Sequence, residues 1–166
     1  MKFVAIDMAE ALFFSSNDKS QRYQELFPQL KALIEGESNA TANMANFCAA
    51  LKETFGWFWI GFYLVENDEL VLGPFQGPIA CSRIQKGKGV CGTTWATATT
   101  IVVEDVEKFP GHIACSALSK SEIVVPLIKN NQVIGVLDID SSELATFDQI
   151  DQLELEKICQ WFATHL

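Results

Sequence analysis

Three of the five cysteines, Cys81, Cys91 and Cys115, lie in or beside two long central loops, GPIACSRIQKGKG and EKFPGHIACSALSKS, and not on a periodic apolar face. Long loops within a compact chain tend to carry function. Cys115 stands among alanines and serines, with no aromatic neighbour, just before a run that reads as a β-strand. A structural zinc would draw on Cys81, Cys91, His112 and Cys115. There is no Cys-x2-Cys knuckle, however, and only His112-x2-Cys115 has ligand-like spacing. Thiol chemistry therefore weighs more than a metal centre, with simple packing of all three thiols as the plain alternative.

A second cluster is acidic. In GVLDIDSSE, Asp138 and Asp140 are two apart on a strand and so project from one face, alongside Ile134 and Val136. Two carboxylates on one face repel each other, and burial raises their pKa values further, so such a pair can hold a proton near neutral pH. It suits binding of an α-ammonium group and donation of a proton to a leaving oxygen; the plain alternative is a solvated strand end. Glu122 joins the pair only in one register. A strict two-residue turn at Asn130-Asn131 sets Glu122 opposite Ile139, on the other face. A three-residue loop or a bulge brings it across from an aspartate, and that irregularity is the expectation.

Aromatic residues supply the third element. Trp57 and Trp59 alternate along the strand WFWIGFYLV with Phe58 on the opposite face, and Tyr63 shares the tryptophan face. Phe58 and Phe62 are expected in the core. A tryptophan beside acids and thiols suits a sulfur-containing side chain, because sulfur contacts aromatic rings favourably.

The elements that position these groups follow from periodicity. Residues 16–35 start with a Ser/Asn/Asp cap and place Tyr23, Leu26, Phe27, Leu30, Leu33 and Ile34 on one helical face, with Pro28 expected to bend the helix. A second helix over about 38–55 turns Met44, Phe47, Cys48 and Leu51 inward and stops at Gly56. Residues 57–65 and ELVLGPF form a hairpin around Glu66-Asn67-Asp68; VCGTTWATATT reads as a short helix, and TIVVEDV as a strand. EIVVPLIK and QVIGVLDID pair through Asn130-Asn131. The last helix is expected from Thr146, with Gln149 completing a capping box and Ile150, Leu153, Ile158, Cys159 and Phe162 inward. This order predicts an α+β domain with helices packed on an antiparallel sheet.

Composition sets the outer bounds. The 166 residues fit a single domain, and with 49% hydrophobic residues there is material for a layered core. The formal charge of −9 disfavours nucleic acid and anionic membranes as partners, since phosphate binding relies on clustered Lys and Arg. The start MKFVAIDMAE lacks the apolar run of a signal peptide, and no stretch approaches the roughly 18 apolar residues of a membrane span, so a cytoplasmic location is expected. Thiols in that compartment are kept reduced, which favours burial or redox chemistry over structural disulfides.

The segments GWFWIGFYLV, LGPFQGPIACSRIQKGKGVCG, HIACSALSKSEIVVPL and VIGVLDIDS closely resemble the free methionine-(R)-sulfoxide reductases, a family of stand-alone GAF domains. The resemblance runs from about residue 18 to 162, with no departure at the motif positions. It leaves the N-terminal extension of residues 1–15 without an assigned role. It implies an antiparallel sheet of about six strands in a homodimer, reduction of free methionine (R)-sulfoxide to methionine, no metal or other cofactor, and thioredoxin as reductant. On this resemblance Cys115 is the nucleophile, Cys81 the principal resolving cysteine and Cys91 a third exchanging thiol. Glu122, Asp138 and Asp140 bind the ammonium and the sulfoxide oxygen, Trp59 walls the methyl and sulfur end, and Tyr63 lies on the same face. The sequence is also compatible with two other readings: a sensory GAF module that binds a small ligand without catalysis, and a thiol-based redox sensor that would use Cys115 without the acids.

Overall fold

Four helices and a sheet are held together by what each leaves unsatisfied at its ends and on its apolar face. The computed structural model describes residues 11–112 and 116–166. Helix α1 (Lys19–Ile34) is capped by Asp18, whose side chain accepts from the Gln21 N–H; α2 (Ala40–Phe55) is capped by Asn39 and ends at Gly56, which takes the left-handed φ of 71° needed there. Strands β1 (Trp59–Glu66) and β2 (Glu69–Gln76) form the expected hairpin, with Asn67 and Asp68 both at positive φ in its two-residue turn. A short β3 (Arg83–Gln85) follows inside the segment read from sequence as loop. Then come α3 (Gly89–Thr97), β4 (Ile101–Val103), β5 (Ser121–Lys129), β6 (Gln132–Ser141) and α4 (Gln149–Phe162).

The six strands lie in the order β3-β2-β1-β6-β5-β4, and every neighbouring pair is antiparallel. The fold is α+β, as the element order predicts. One face of the sheet carries the larger core, with Tyr23, Leu26 and Leu30 of α1, Phe47, Cys48 and Leu51 of α2, and Leu155, Ile158, Cys159 and Phe162 of α4 against Ile60, Phe62, Ile123 and Leu137. The other face, with Trp59, Tyr63, Val124 and Val136, is covered by the central loops and by α3, which contributes Cys91 and Trp95. Asp138 and Glu122 are buried on this second side. Cys48 is core, as expected.

Three expectations are corrected. Trp57 packs with the helices in the first core and not beside Trp59, because β1 begins only at Trp59 and the preceding residues do not alternate. Phe58 is half-buried on the Trp59 side. Helix α4 begins at Gln149, with Asp148 as its cap and Asp151 closing the capping box. The carboxylate of Asp151 accepts from Tyr23 Oη at 2.9 Å and Lys19 Nζ at 2.6 Å, which fixes the inward face on Asp151, Leu155, Ile158, Cys159 and Phe162. Ile150 and Leu153 accordingly turn outward, 40% and 58% exposed. Thr146 closes the preceding loop instead, donating to Ser141 Oγ at 2.7 Å.

Of the N-terminal extension, Leu12 and Phe14 pack against the helix-side core, and Gln29 bonds the backbone of Phe13 in both directions. No helix among the described residues is long and apolar enough to cross a membrane.

Candidate active site

The acidic cluster depends on one extra residue in a hairpin. Asn130 and Asn131, at φ 52° and 60°, make the two-residue turn between β5 and β6, and Lys129 faces Gln132 and Ile128 faces Val133 as that turn demands. The pairing then shifts by one between Leu127 and Ile128, so that Leu127 faces Gly135, Val124 faces Asp138 and Glu122 faces Asp140. This is the irregularity the sequence called for. It also reverses one detail: Ile134 packs on the helix-side core while Val133 and Val136 pack on the other, so Ile134 does not share the face of Asp138. Beyond the shift, Glu122, Asp138 and Asp140 share one side of the sheet.

The neighbours of these acids come from three other elements. Asp140 lies opposite Trp59 and Asp138 opposite Gly61 on β1. Cys91, at the N-terminal turn of α3, lies within 4.8 Å of carboxylate oxygens of both Glu122 and Asp138. One cavity is lined by Trp59, Tyr63, Cys91, Glu122, Asp138 and Asp140, together with His112, Lys88, Gly89 and residues of the 79–80 segment. Asp138 and Glu122 are only 7% and 5% exposed.

Burial is the dominant influence on every titrating group here. It pushes Glu122 well above the usual carboxylate range, and the charges of Asp138 and Asp140 push it further. Asp138 is raised for the same reasons, first burial and then Asp140. Asp140 is raised to about 6, mainly by burial, with a hydrogen bond from Ser119 opposing. Three carboxyls this close in a dry cavity do not all ionise, so the trio retains a proton at neutral pH. Cys91 is a free thiol, and burial followed by the Asp138 and Glu122 charges raises its pKa well above normal. His112 Nε2 lies 3.8 Å from Glu122 Oε2, and burial lowers its pKa, which favours the neutral imidazole.

Trp59 forms a flat wall. Its indole stacks on Phe75 at 5.4 Å and 18°, and its Nε1–H donates to the Pro78 carbonyl at 3.0 Å. Glycine is required on two sides of it. A Cβ on Gly61 would overlap Trp59 Cη2, and one on Gly77, whose φ is 144°, would sit 2.5 Å from Trp59 Cδ1. Tyr63 runs parallel to Trp59, at 6.1 Å and 28°, and its hydroxyl donates to the Cys81 carbonyl at 2.9 Å. The two aromatics of β1 thus hold the loop that carries Cys81. Cys81 is disulfide-bonded, which removes its thiolate from the zinc set considered from sequence. Cys115 lies outside the described residues.

The loop tethers and the close approach of two glycines to Trp59 are found only in the structure. Glycines two apart from an aromatic strand residue, as in WIG and QGP, were the available signal.

A GAF domain model matches residues 40–164. A Dictyostelium discoideum protein, "GAF domain-containing protein A", is 60% identical over 152 residues, 91% of this chain and 96% of that protein. The free methionine-R-sulfoxide reductase of Escherichia coli is 49% identical over 142 residues, 85% of this chain and 86% of that protein. The X-ray structure of free methionine-R-sulfoxide reductase from Neisseria meningitidis in complex with its substrate superposes with a TM-score of 0.92 at 54% identity, covering 93% of this chain and 94% of that one. The chain belongs to the GAF-domain family, within the group of free methionine-R-sulfoxide reductases.

Proposed function

We propose that the chain reduces free L-methionine (R)-S-oxide to L-methionine by thiol chemistry. One observation carries the reading: Glu122, Asp138 and Asp140 converge in a single cavity walled by Trp59, although pairing through a plain hairpin would have separated them. Asp140, with a pKa of about 6, is largely ionised at neutral pH and suits the substrate ammonium. Glu122 and Asp138, held higher by burial, suit delivery of a proton to the sulfoxide oxygen. The Trp59 face takes the methyl and sulfur end. Lys88 and the N-terminal turn of α3 also line the cavity and offer positive potential to the substrate carboxylate. A methionine inside a peptide lacks the ammonium, so the acids favour the free amino acid.

In this mechanism Cys115 is the nucleophile. Its thiolate attacks the sulfoxide sulfur as an acid of the trio protonates the oxygen; the hydroxyl then passes from that sulfur to Cys115 Sγ as the transient S–S bond breaks, so methionine leaves as the sulfide and Cys115 becomes a sulfenic acid. The Cys81 thiol displaces water from that sulfenic acid and forms a disulfide. An external dithiol, with thioredoxin as the proposed reductant, opens the disulfide by exchange and is itself oxidised. The disulfide-bonded state of Cys81 is one that such a cycle passes through. Cys91 is the third thiol, available for exchange, and a homodimer in the cytoplasm is the proposed setting.

The test is incubation with the separate R and S epimers of free methionine sulfoxide plus dithiothreitol, with methionine measured. Selective consumption of the R epimer is expected, and Cys115→Ser should abolish it. Equal consumption of both epimers, or full turnover by Cys115→Ser, would sink the assignment; binding without any methionine release would favour a sensory module.

A further inference from the structure

Among the described residues, Cys91 is the thiol that lines the cavity beside the acids, and it forms no disulfide. Its Sγ, a carboxylate oxygen of Glu122 and one of Asp138 all lie within 4.8 Å of one another, and they come from α3, β5 and β6, three elements packed against each other. All three side chains are more than nine-tenths buried. The Asp138 side chain is hydrogen-bonded to Cys91 and Glu122, yet its Oδ1, buried in the same cluster, has no hydrogen-bond partner among the described residues. Buried acceptors are almost always satisfied, so an orphaned carboxylate oxygen facing a cavity marks a place for a cationic partner. From this geometry we propose that Cys91, Glu122 and Asp138 bind a thiophilic divalent cation, of the zinc and cadmium class, and that its binding excludes the amino-acid substrate.

The donor set selects the class. One sulfur and two carboxylate oxygens match zinc-like ions, whereas calcium and magnesium take oxygen ligands throughout. Three protein ligands leave a fourth position open toward the cavity, for water. The cation would neutralise most of the charge of this ligand set. The exclusion half of the proposal rests on the function proposed above, in which the substrate ammonium uses the same acids; the binding half does not. It adds an inhibitory control to the enzyme, in which a rise in free zinc would silence methionine recovery while leaving the loop disulfide untouched.

The experiment uses the full chain, kept oxidised so that Cys81 stays in its disulfide while Cys91 is a free thiol. Cadmium chloride is titrated in while the ultraviolet thiolate-to-cadmium charge-transfer band is followed, and zinc chloride is titrated by calorimetry. Saturation at one cation per chain is expected, with the band lost in Cys91→Ala and the affinity reduced at least tenfold in Asp138→Asn. Cys91→Ser serves should Cys91→Ala fail to fold, and circular dichroism verifies each variant. Absence of the band in the unaltered protein, or undiminished binding by both Cys91 and Asp138 variants, overturns the site. Methionine added to the cadmium-loaded protein should remove the band, and zinc should raise the apparent KM of the reductase. Cation binding that methionine leaves unchanged, in a protein that is an active reductase, overturns the exclusion. Cation binding in a protein that reduces neither epimer leaves the site standing and removes the function it was inferred to control.

Discussion

The Tyr63 hydroxyl donates a 2.9 Å hydrogen bond to the carbonyl of Cys81, so a strand residue beneath the cavity holds the backbone of a disulfide-bonded cysteine above it. Burial, and then the charge of Asp138, keeps this phenol protonated throughout the working pH range, which makes it a dependable donor. Tyr63→Phe should cost about 1 kcal/mol of stability, the net worth of one such bond, measured by urea unfolding. In a single-turnover experiment with stoichiometric sulfoxide, methionine release should remain fast while disulfide formation slows. A disulfide that forms at the unaltered rate would show that Tyr63 does not position Cys81.

Clustering of the acids is expected to cost stability. Burial raises the pKa of Asp140 in the folded chain to about 6 from the ordinary 3.8. The folded state therefore binds this proton more tightly, and its stabilising contribution is complete below about pH 3.8 and lost as the pH rises through about 6. Asp140→Asn removes the penalty of the buried charge. The variant should melt several degrees higher than the unaltered protein at pH 7.5 and gain nothing at pH 3.5 to 4, while binding substrate more weakly. Differential scanning calorimetry at the two pH values checks the sign.

Gly77 tests the wall of the cavity. Its φ of 144° is costly for any other residue, and a methyl group there would press on the indole of Trp59 at 2.5 Å. Gly77→Ala is expected to displace both the indole and the loop it tethers through the Pro78 carbonyl. The expected outcome is a KM raised by about tenfold, equivalent to roughly 1.4 kcal/mol of lost binding, together with a change in tryptophan fluorescence. An unaltered KM would mean that the indole position is irrelevant to substrate binding.

Asp151 ties α1 to α4. Its buried carboxylate accepts from Tyr23 Oη and Lys19 Nζ and from the backbone N–H of Asp148. Asp151→Ala should cost about 3 kcal/mol, because it strands the buried Tyr23 hydroxyl and breaks the capping box together. Guanidinium unfolding measures the loss; a drop under about 1 kcal/mol would place the anchor elsewhere.

Much of this architecture is legible from the residues. The alternation of Val, Ile and Asp in β6, together with the Asn-Asn turn, is enough to require an irregularity if Glu122 is to meet Asp140, and the pairing contains it. The position of that irregularity was not readable, because Ile134 and Val133 are both apolar and either can face the helices. Trp57 escapes the period-two pattern because the strand starts only at Trp59, two residues later. The start of α4 is ambiguous in sequence because Thr146 and Asp148 are both competent caps, and the contact of Tyr23 with Asp151, remote in sequence, favours Asp148. β3 escaped notice because three residues, exposed-buried-exposed, carry too little pattern. The loop tethers escaped because they end on backbone carbonyls, which have no letter of their own.

The one-residue shift at Ile134 has a consequence for heredity as well as for geometry. Across a plain two-residue turn, facing positions are one odd and one even; Glu122 and Asp140 are both even and face each other all the same. A single codon gained or lost between them would exchange the inner and outer sides of one arm of the ribbon, leaving every motif residue intact in the text of the gene. The count of residues between glutamate and aspartate, odd or even, therefore gives a test that can be run on any descendant of this gene, and it separates those that kept the acid triad together from those that retain only its letters.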